Sequence, residues 1–212
     1  MRIESPSSLL TRFQLFEMAS DKSLVTFDHL RQLYTEYRQT KDLDEKGLFF
    51  SEQCHQICRS DPSYAARERA TIVQYLRESG PLVARILRDA GQLGADEAVG
   101  SNTKANYYTI RPLAAEEAHD FGTVEHVAPA GYKSVAELQS QAATEKWEGV
   151  MVDMWSDDGD GKGFMAKAKY WWRLEDVEDN GGTWRQTLHD ILYLGVRDGT
   201  EGTDGGILIQ DI

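Results

Sequence analysis

The 212-residue chain lacks several features that would place a protein in a class at once. It has two cysteines, too few for a disulfide-stapled secreted fold and consistent with reduced thiols. No apolar run approaches the roughly 18 residues that span a bilayer. The N-terminus has no uninterrupted apolar stretch of the kind that secretory signals contain. We therefore expect a cytoplasmic protein that makes no membrane contact.

Basic residues are scarce in the second half of the chain. Residues 1–100 carry 13 Lys and Arg against 15 Asp and Glu, whereas residues 101–212 carry 10 against 20, which gives the net charge of −12. So acidic a surface repels phosphate backbones, and direct nucleic-acid binding is therefore disfavoured. The charge is better suited to a protein partner, and most specifically to a basic one.

Tryptophan is absent from the first hundred residues, and thirteen of the eighteen glycines follow residue 100. This shift in composition predicts a change of architecture near the midpoint. We expect an α+β protein in which an N-terminal helical bundle precedes a small antiparallel-sheet α+β domain. The expected boundaries are 1–95 for the bundle, 96–106 for a linker and 107–212 for the acidic domain.

Helical spacing of apolar residues supports the bundle. It predicts one helix over 8–20, a second beginning at Thr26, and a third that carries Cys54 and Cys58 on one face. The pair Asp61-Pro62 is a typical helix start, because Asp caps and Pro fits the first helical position.

The second half shows a capped helix and alternating strands. Ser134 and Glu137 form a capping-box pattern that predicts a helix up to residue 146. Alternation predicts strands at 147–155 and 164–174, joined as a hairpin. The segment 183–196 fits either a helix or a strand.

The turn between those two strands is rich in carboxylates. Asp157, Asp158 and Asp160 lie in a glycine-containing loop, with Asp153 nearby. Calcium and magnesium prefer such hard oxygen ligands. However, Lys167 stands where a calcium helix-loop-helix needs its closing Glu. The alternative is a solvated hairpin tip whose Asp and Gly residues permit the turn.

A stripe of aromatic and cationic residues is the candidate partner-binding surface. Its members alternate along the two hairpin strands: Trp155, Lys167, Lys169, Trp171 and Arg173. Trp and Arg are favoured anchors at interfaces, so an exposed stripe predicts a binding surface. The alternative is that neighbouring elements cover this face and bury it.

Residues 122–172 locally resemble the carboxyl-side part of the nucleotidyltransferase domain of ATP-dependent DNA ligases. The resemblance is carried by Glu148-Gly149-Val150 and by Lys167-Ala168-Lys169. It implies a nucleotide approached by Glu148 and the two lysines. The Lys-x-Asp-Gly sequence that supplies the adenylylated lysine is missing, so ligation is excluded.

No other motif indicates a reaction: the chain has no phosphate-binding glycine loop, dinucleotide fingerprint or Gly-x-Ser-x-Gly sequence. We therefore predict no catalytic residue, no required cofactor, and a non-enzymatic protein–protein interaction module such as an adaptor, assembly component or inhibitor. One alternative is a divalent-cation-dependent enzyme or binding module that uses the turn 153–160. Another is an acidic mimic of nucleic acid.

Overall fold

The computed structural model describes residues 26–98, 103–176 and 181–211. The strands of these residues form one six-stranded sheet in the order β1-β5-β4-β3-β2-β6. Its strands are β1 (Phe50–Cys58), β2 (Ala105–Pro112), β3 (Glu148–Asp157), β4 (Phe164–Glu175), β5 (Thr183–Val196) and β6 (Ile207–Asp211). The sheet is mixed, because β1 runs parallel to β5 while the other neighbours are antiparallel.

Six α-helices and one short 3-10 helix (Pro62–Tyr64) accompany the sheet in the described residues. The α-helices are α1 (26–39), α2 (Leu43–Gly47), α3 (Arg69–Arg77), α4 (Ser79–Asp89), α5 (Val124–Val127) and α6 (Val135–Thr144). Ser134 caps α6 as predicted, its hydroxyl accepting the backbone N–H of Glu137. None of these helices is long and apolar enough to cross a membrane. The helix predicted over 8–20 lies outside the described residues.

Each face of the sheet is covered by a different set of helices. The face that we call inner packs on α1 and α3 through a cluster that includes Leu30, Tyr34 and Ile72 with Val152 and Trp172. The outer face packs on α5 and α6 through a second cluster of buried residues. Alternation along β4 divides its side chains between these two cores.

The predicted N-terminal helical bundle is wrong. The segment expected to form a helix around Cys54 and Cys58 is strand β1, and it hydrogen-bonds to β5 from the second half of the chain. Its register shifts between Phe50 and His55. Phe50 and Cys54 are buried in the inner core and Ile57 in the outer core, because both faces of the sheet are covered, and burial on both faces gave spacings that imitate a helix.

The strands and the linker predicted in the second half of the chain agree only in part with the structure. The hairpin of β3 and β4 is confirmed, and 183–196 proves to be a strand. The alternation over residues 123–127 also predicts a strand, but Val124–Val127 form the short helix α5. The predicted linker 96–106 runs into the start of β2, and its residues 99–102 lie outside the described residues.

Candidate functional site

A cavity of about 450 Å³ opens between α1, α4 and one end of strands β2, β3 and β4. We call it the α1–α4 cavity. Its apolar wall consists of Val83, Leu87, Tyr107, Met154, Trp155 and Phe164. Its polar groups belong to Arg38, Thr103, Asn106 and Ser156. A concave, largely apolar space of this size with a few convergent polar groups is typical of small-molecule sites.

Strand register places the side chains of one wall. Asn106 lies opposite Ser156, and Tyr107 lies opposite Trp155, whose ring stacks on it with centroids 5.8 Å apart. Helix α4 brings the buried side chain of Leu87 against the same space. By strand alternation, Met154 and Phe164 lie on the inner face with Arg38, whereas the stacked rings of Tyr107 and Trp155 lie on the outer face.

Arg38 provides the cationic group of the cavity. Its Nε donates to Asp211 Oδ2 at 3.0 Å, and its Nη1 contacts Met154 Sδ at 3.6 Å. The guanidinium carbon also lies 5.8 Å from the centroid of the Tyr108 ring. Because a guanidinium stays charged at physiological pH, Arg38 supplies fixed N–H donors to whatever enters.

Buried phenols form a layer beside the cavity. The Tyr34 ring lies 5.5 Å from that of Tyr108 and 5.0 Å from that of Tyr170, between centroids. Burial raises the pKa of both Tyr34 and Tyr170 above the ordinary phenol value. These hydroxyls consequently remain protonated at neutral pH and do not serve as bases.

A buried polar pair lies farther along the inner face. His189 Nε2 and Gln186 Oε1 are 2.5 Å apart, and the imidazole packs edge-on against Phe50 and Tyr170. Burial lowers the pKa of His189 to about 3, so the ring is neutral and donates its proton to the amide oxygen. His189 is one of five histidines in the chain, and none of them was predicted from the sequence to be a site residue. Its position between apolar strand residues was the signal for burial.

The outer face carries a buried network of ions. Lys169 is 1% exposed and Asp190 is fully buried, with Nζ and Oδ2 3.1 Å apart. Arg59 donates from Nη2 to Asp190 at 2.6 Å and from Nη1 to Asp120 at 2.9 Å. The network ties β4, β5 and Arg59, the residue that follows β1, to the loop before α5.

Asp153 lies on the same outer face, opposite Lys167 in register and 4% exposed. Burial raises the pKa of its carboxyl to about 6, and the nearby Asp204 adds to the effect, against the opposing charges of Lys167 and Arg111. Asp153 was predicted to act with the carboxylates of the acidic turn, but it lies in β3 with its side chain buried.

Replacing Asp153 with asparagine should stabilise the protein at high pH only. The raised pKa means that the folded state binds the proton of Asp153 more tightly than the unfolded state does. The stability that this protonation contributes is present at low pH and is lost as pH rises through about 6. We expect Asp153→Asn to raise the free energy of unfolding by about 2 kcal/mol at pH 8 and by much less at about pH 4. Urea unfolding at both pH values measures this. Asp160→Asn on the exposed turn is the control, and a gain that does not depend on pH would contradict the assignment.

The carboxylates of the acidic turn serve the turn itself. Asp158 Oδ1 accepts the backbone N–H groups of Asp160 at 2.8 Å and Lys162 at 3.1 Å. Asp157 Oδ1 accepts from Gly159 N–H and from Arg197 Nη1, both at 2.9 Å. In the part of the chain that the structure describes, no three acidic, histidine or cysteine residues converge as a metal ion would need.

The predicted partner-binding stripe does share one sheet face, but other elements cover it. Trp171 is 3% exposed and packs on Phe121, and Lys169 is buried. Lys167 donates to Thr200 Oγ1 at 2.6 Å, and Arg173 pairs with Glu145 Oε2 at 2.6 Å. Trp155 alone of the five lines the α1–α4 cavity.

A comparison with protein families matches residues 19–210 to the SnoaL-like domain. The chain belongs to the SnoaL-like domain family. The family has the NTF2-like α+β cone fold, in agreement with the single mixed sheet and its helices. No curated protein and no solved structure matches the SnoaL-like chain.

This membership corrects the predicted function. The leading prediction, a non-enzymatic interaction module such as an adaptor, assembly component or inhibitor, is wrong, because SnoaL-like domains are associated with polyketide cyclase- and isomerase-type enzymes or with NTF2-like ligand binding. The family also gives no support to a cation-dependent module, an acidic nucleic-acid mimic or the local resemblance to DNA ligases.

Proposed function

We propose that this SnoaL-like protein binds a small, flat, largely apolar molecule with an acidic or carbonyl oxygen in the α1–α4 cavity. The observation that supports this proposal is the position of Arg38 beside an apolar wall that contains Val83, Leu87 and Phe164. Aromatic rings provide broad apolar contact for a planar molecule. The guanidinium provides the directional donors that fix an oxygen.

The groups around the cavity favour binding over acid–base catalysis. The carboxylate of Asp211 is held by Nε and Nη2 of Arg38, so it is engaged as a hydrogen-bond acceptor. The phenols of Tyr34 and Tyr170 stay protonated because they are buried. A general base needs a group that is free to take a proton within hydrogen-bond reach of the substrate.

Binding of 8-anilinonaphthalene-1-sulfonate tests the proposal, because this probe joins flat rings to an anionic group. We expect saturable fluorescence enhancement with the folded protein, and affinity about tenfold weaker in Arg38→Met, where the charge-assisted hydrogen bonds are lost. Arg85→Met is the matched control, because Arg85 lies on exposed α4 surface and pairs with Asp61 at 3.5 Å.

A second variant tests the proposal even if Arg38→Met is destabilised by the loss of the Arg38–Asp211 pair. Val83→Trp leaves that pair in place and fills the cavity from α4, so it should also weaken probe binding. Circular dichroism would verify that each variant is folded. Equal probe affinity in the wild type, Arg38→Met and Val83→Trp would overturn the proposal.

A further inference from the structure

A second cavity, of about 630 Å³, lies at the opposite end of the sheet, where arginines from three elements meet. We call it the arginine cavity. Arg69 reaches it from the first residue of α3, Arg173 from the end of β4, and Arg185 from the start of β5. Three guanidinium groups in one cavity are conspicuous in a chain whose net charge is −12.

The irregular part of β1 forms another wall of this cavity. The pairing of β1 with β5 shifts register between Phe50 and His55, and Ser51, Glu52 and Gln53 within that shift line the space. Bulges of this kind re-aim side chains and are frequent beside functional sites. The register shift of β1 therefore helps to build the cavity.

Two of the arginines are directly opposed across neighbouring strands. Arg173 and Arg185 are register partners in the antiparallel pair of β4 and β5. Like charges in this position repel and destabilise a sheet unless something compensates them. Arg173 is compensated, because it pairs with Glu145 Oε2 and Glu175 Oε1, each at 2.6 Å.

Arg185 has no such compensation. Across 26–98, 103–176 and 181–211, no acceptor lies within hydrogen-bond or ion-pair distance of its guanidinium. Arg69 has only a loose partner, with 3.8 Å from its Nη2 to Oε1 of Glu52, whose side chain is 87% exposed. A pair as open to water as this one contributes little. Among the described residues, Arg69 and Arg185 thus lack a close carboxylate partner, and the other acidic residues that line the cavity are Glu52 and Asp176.

A buried hydroxyl completes the arrangement. Ser51 is 3% exposed, and its Oγ accepts a hydrogen bond from Arg173 Nη2 at 3.0 Å. Because that lone pair is used, the Ser51 proton is free to be donated to another oxygen. The remaining carboxylates of the wall belong to Glu175, which is engaged by Arg173, and to Asp176.

We propose that the arginine cavity binds a small polyvalent oxyanion, of the phosphate or polycarboxylate class, between Arg69 and Arg185 with Ser51 as an additional donor. Guanidinium groups match the planar, multi-oxygen geometry of these anions and bind them through paired charge-assisted hydrogen bonds. Such an anion also removes the repulsion between Arg173 and Arg185. This site is separate from the α1–α4 cavity and does not depend on its function.

Isothermal titration calorimetry tests the site with two probes, inorganic phosphate and citrate, against sodium chloride of equal ionic strength. We expect saturable binding of at least one probe to the wild type, weakened about tenfold or more in Arg185→Met and in Arg69→Met. Arg185→Lys, which keeps the charge but loses the forked donors, should bind with intermediate affinity. Arg85→Met, on exposed helix surface, should match the wild type.

Thermal unfolding provides a second measurement on the same variants. In chloride, Arg185→Met should unfold at the wild-type temperature or slightly above it, because Arg185 makes no ion pair with the residues that the structure describes and lies opposite Arg173. The bound anion should raise the unfolding temperature of the wild type and not of Arg185→Met.

The two proposals fail separately. Arg38→Met should keep its affinity for phosphate or citrate, while Arg185→Met should keep its affinity for the anilinonaphthalene probe. If neither anion binds more strongly than chloride, or if Arg185→Met and Arg69→Met bind as the wild type does, the oxyanion site is overturned.

Discussion

Replacing Asp190 with asparagine should lower the free energy of unfolding by about 3–5 kcal/mol, because it leaves Lys169 charged and buried without its nearest carboxylate. The two groups are 3.1 Å apart and almost completely withdrawn from water. Arg59 loses its short contact with Asp190 in the same change. Chemical denaturation monitored by tryptophan fluorescence measures the loss.

An exposed ion pair is the matched control for this prediction. Asp44 lies 2.6 Å from Arg77, but its side chain is 83% exposed, so Asp44→Asn should cost only about 0–1 kcal/mol. The double variant Lys169→Met/Asp190→Asn should cost less than the sum of its single changes, because the two residues are coupled. A cost near that of Asp44→Asn would show that Asp190 does not stabilise the buried lysine.

Gly163→Ala should cost about 3 kcal/mol or more, because two penalties act at one residue. Gly163 has φ +135, a conformation that L side chains rarely adopt, and an added Cβ would collide with the backbone carbonyl oxygen of Ser156. That oxygen belongs to β3 and cannot move without distorting the hairpin. Thermal or urea unfolding measures the effect.

Gly161 in the same turn is the control. It also has positive φ, at +76, but an added Cβ would meet nothing within 4 Å. Gly161→Ala should therefore cost only the conformational penalty, about 1 kcal/mol. Equal costs at the two positions would mean that the backbone collision at Gly163 relaxes freely.

Local chemistry made part of the fold predictable. The helix after Ser134 and the hairpin of β3 and β4 follow from short-range signals, a capping residue and a period of two, that the fold preserves. The strand β1 was missed because its burial reflects pairing with β5, more than 120 residues later in the chain. No local pattern encodes such a partner, and burial of β1 on both of its faces imitated helical spacing.

The candidate site was harder to predict, because its residues are distant in the sequence. Trp155 was predicted to be a partner-binding residue because tryptophan is a common interface anchor. Arg38 and Leu87 lie on helices whose position over the sheet only the fold reveals. Lys169 and Asp153 were expected to face a partner or a cation. The sequence shows that such residues alternate along a strand, and it does not show which layer covers that face.

The parallel pairing of β1 with β5 has a consequence for how the chain acquires its structure. A ribosome releases β1 early, yet its hydrogen-bonding partner begins at residue 183. The contacts between β1 and β5 are therefore far apart in sequence. Loop-closure entropy opposes their formation until nearly all of the chain is available. Until then, the nascent strand must remain shielded from the edges of other unfinished sheets.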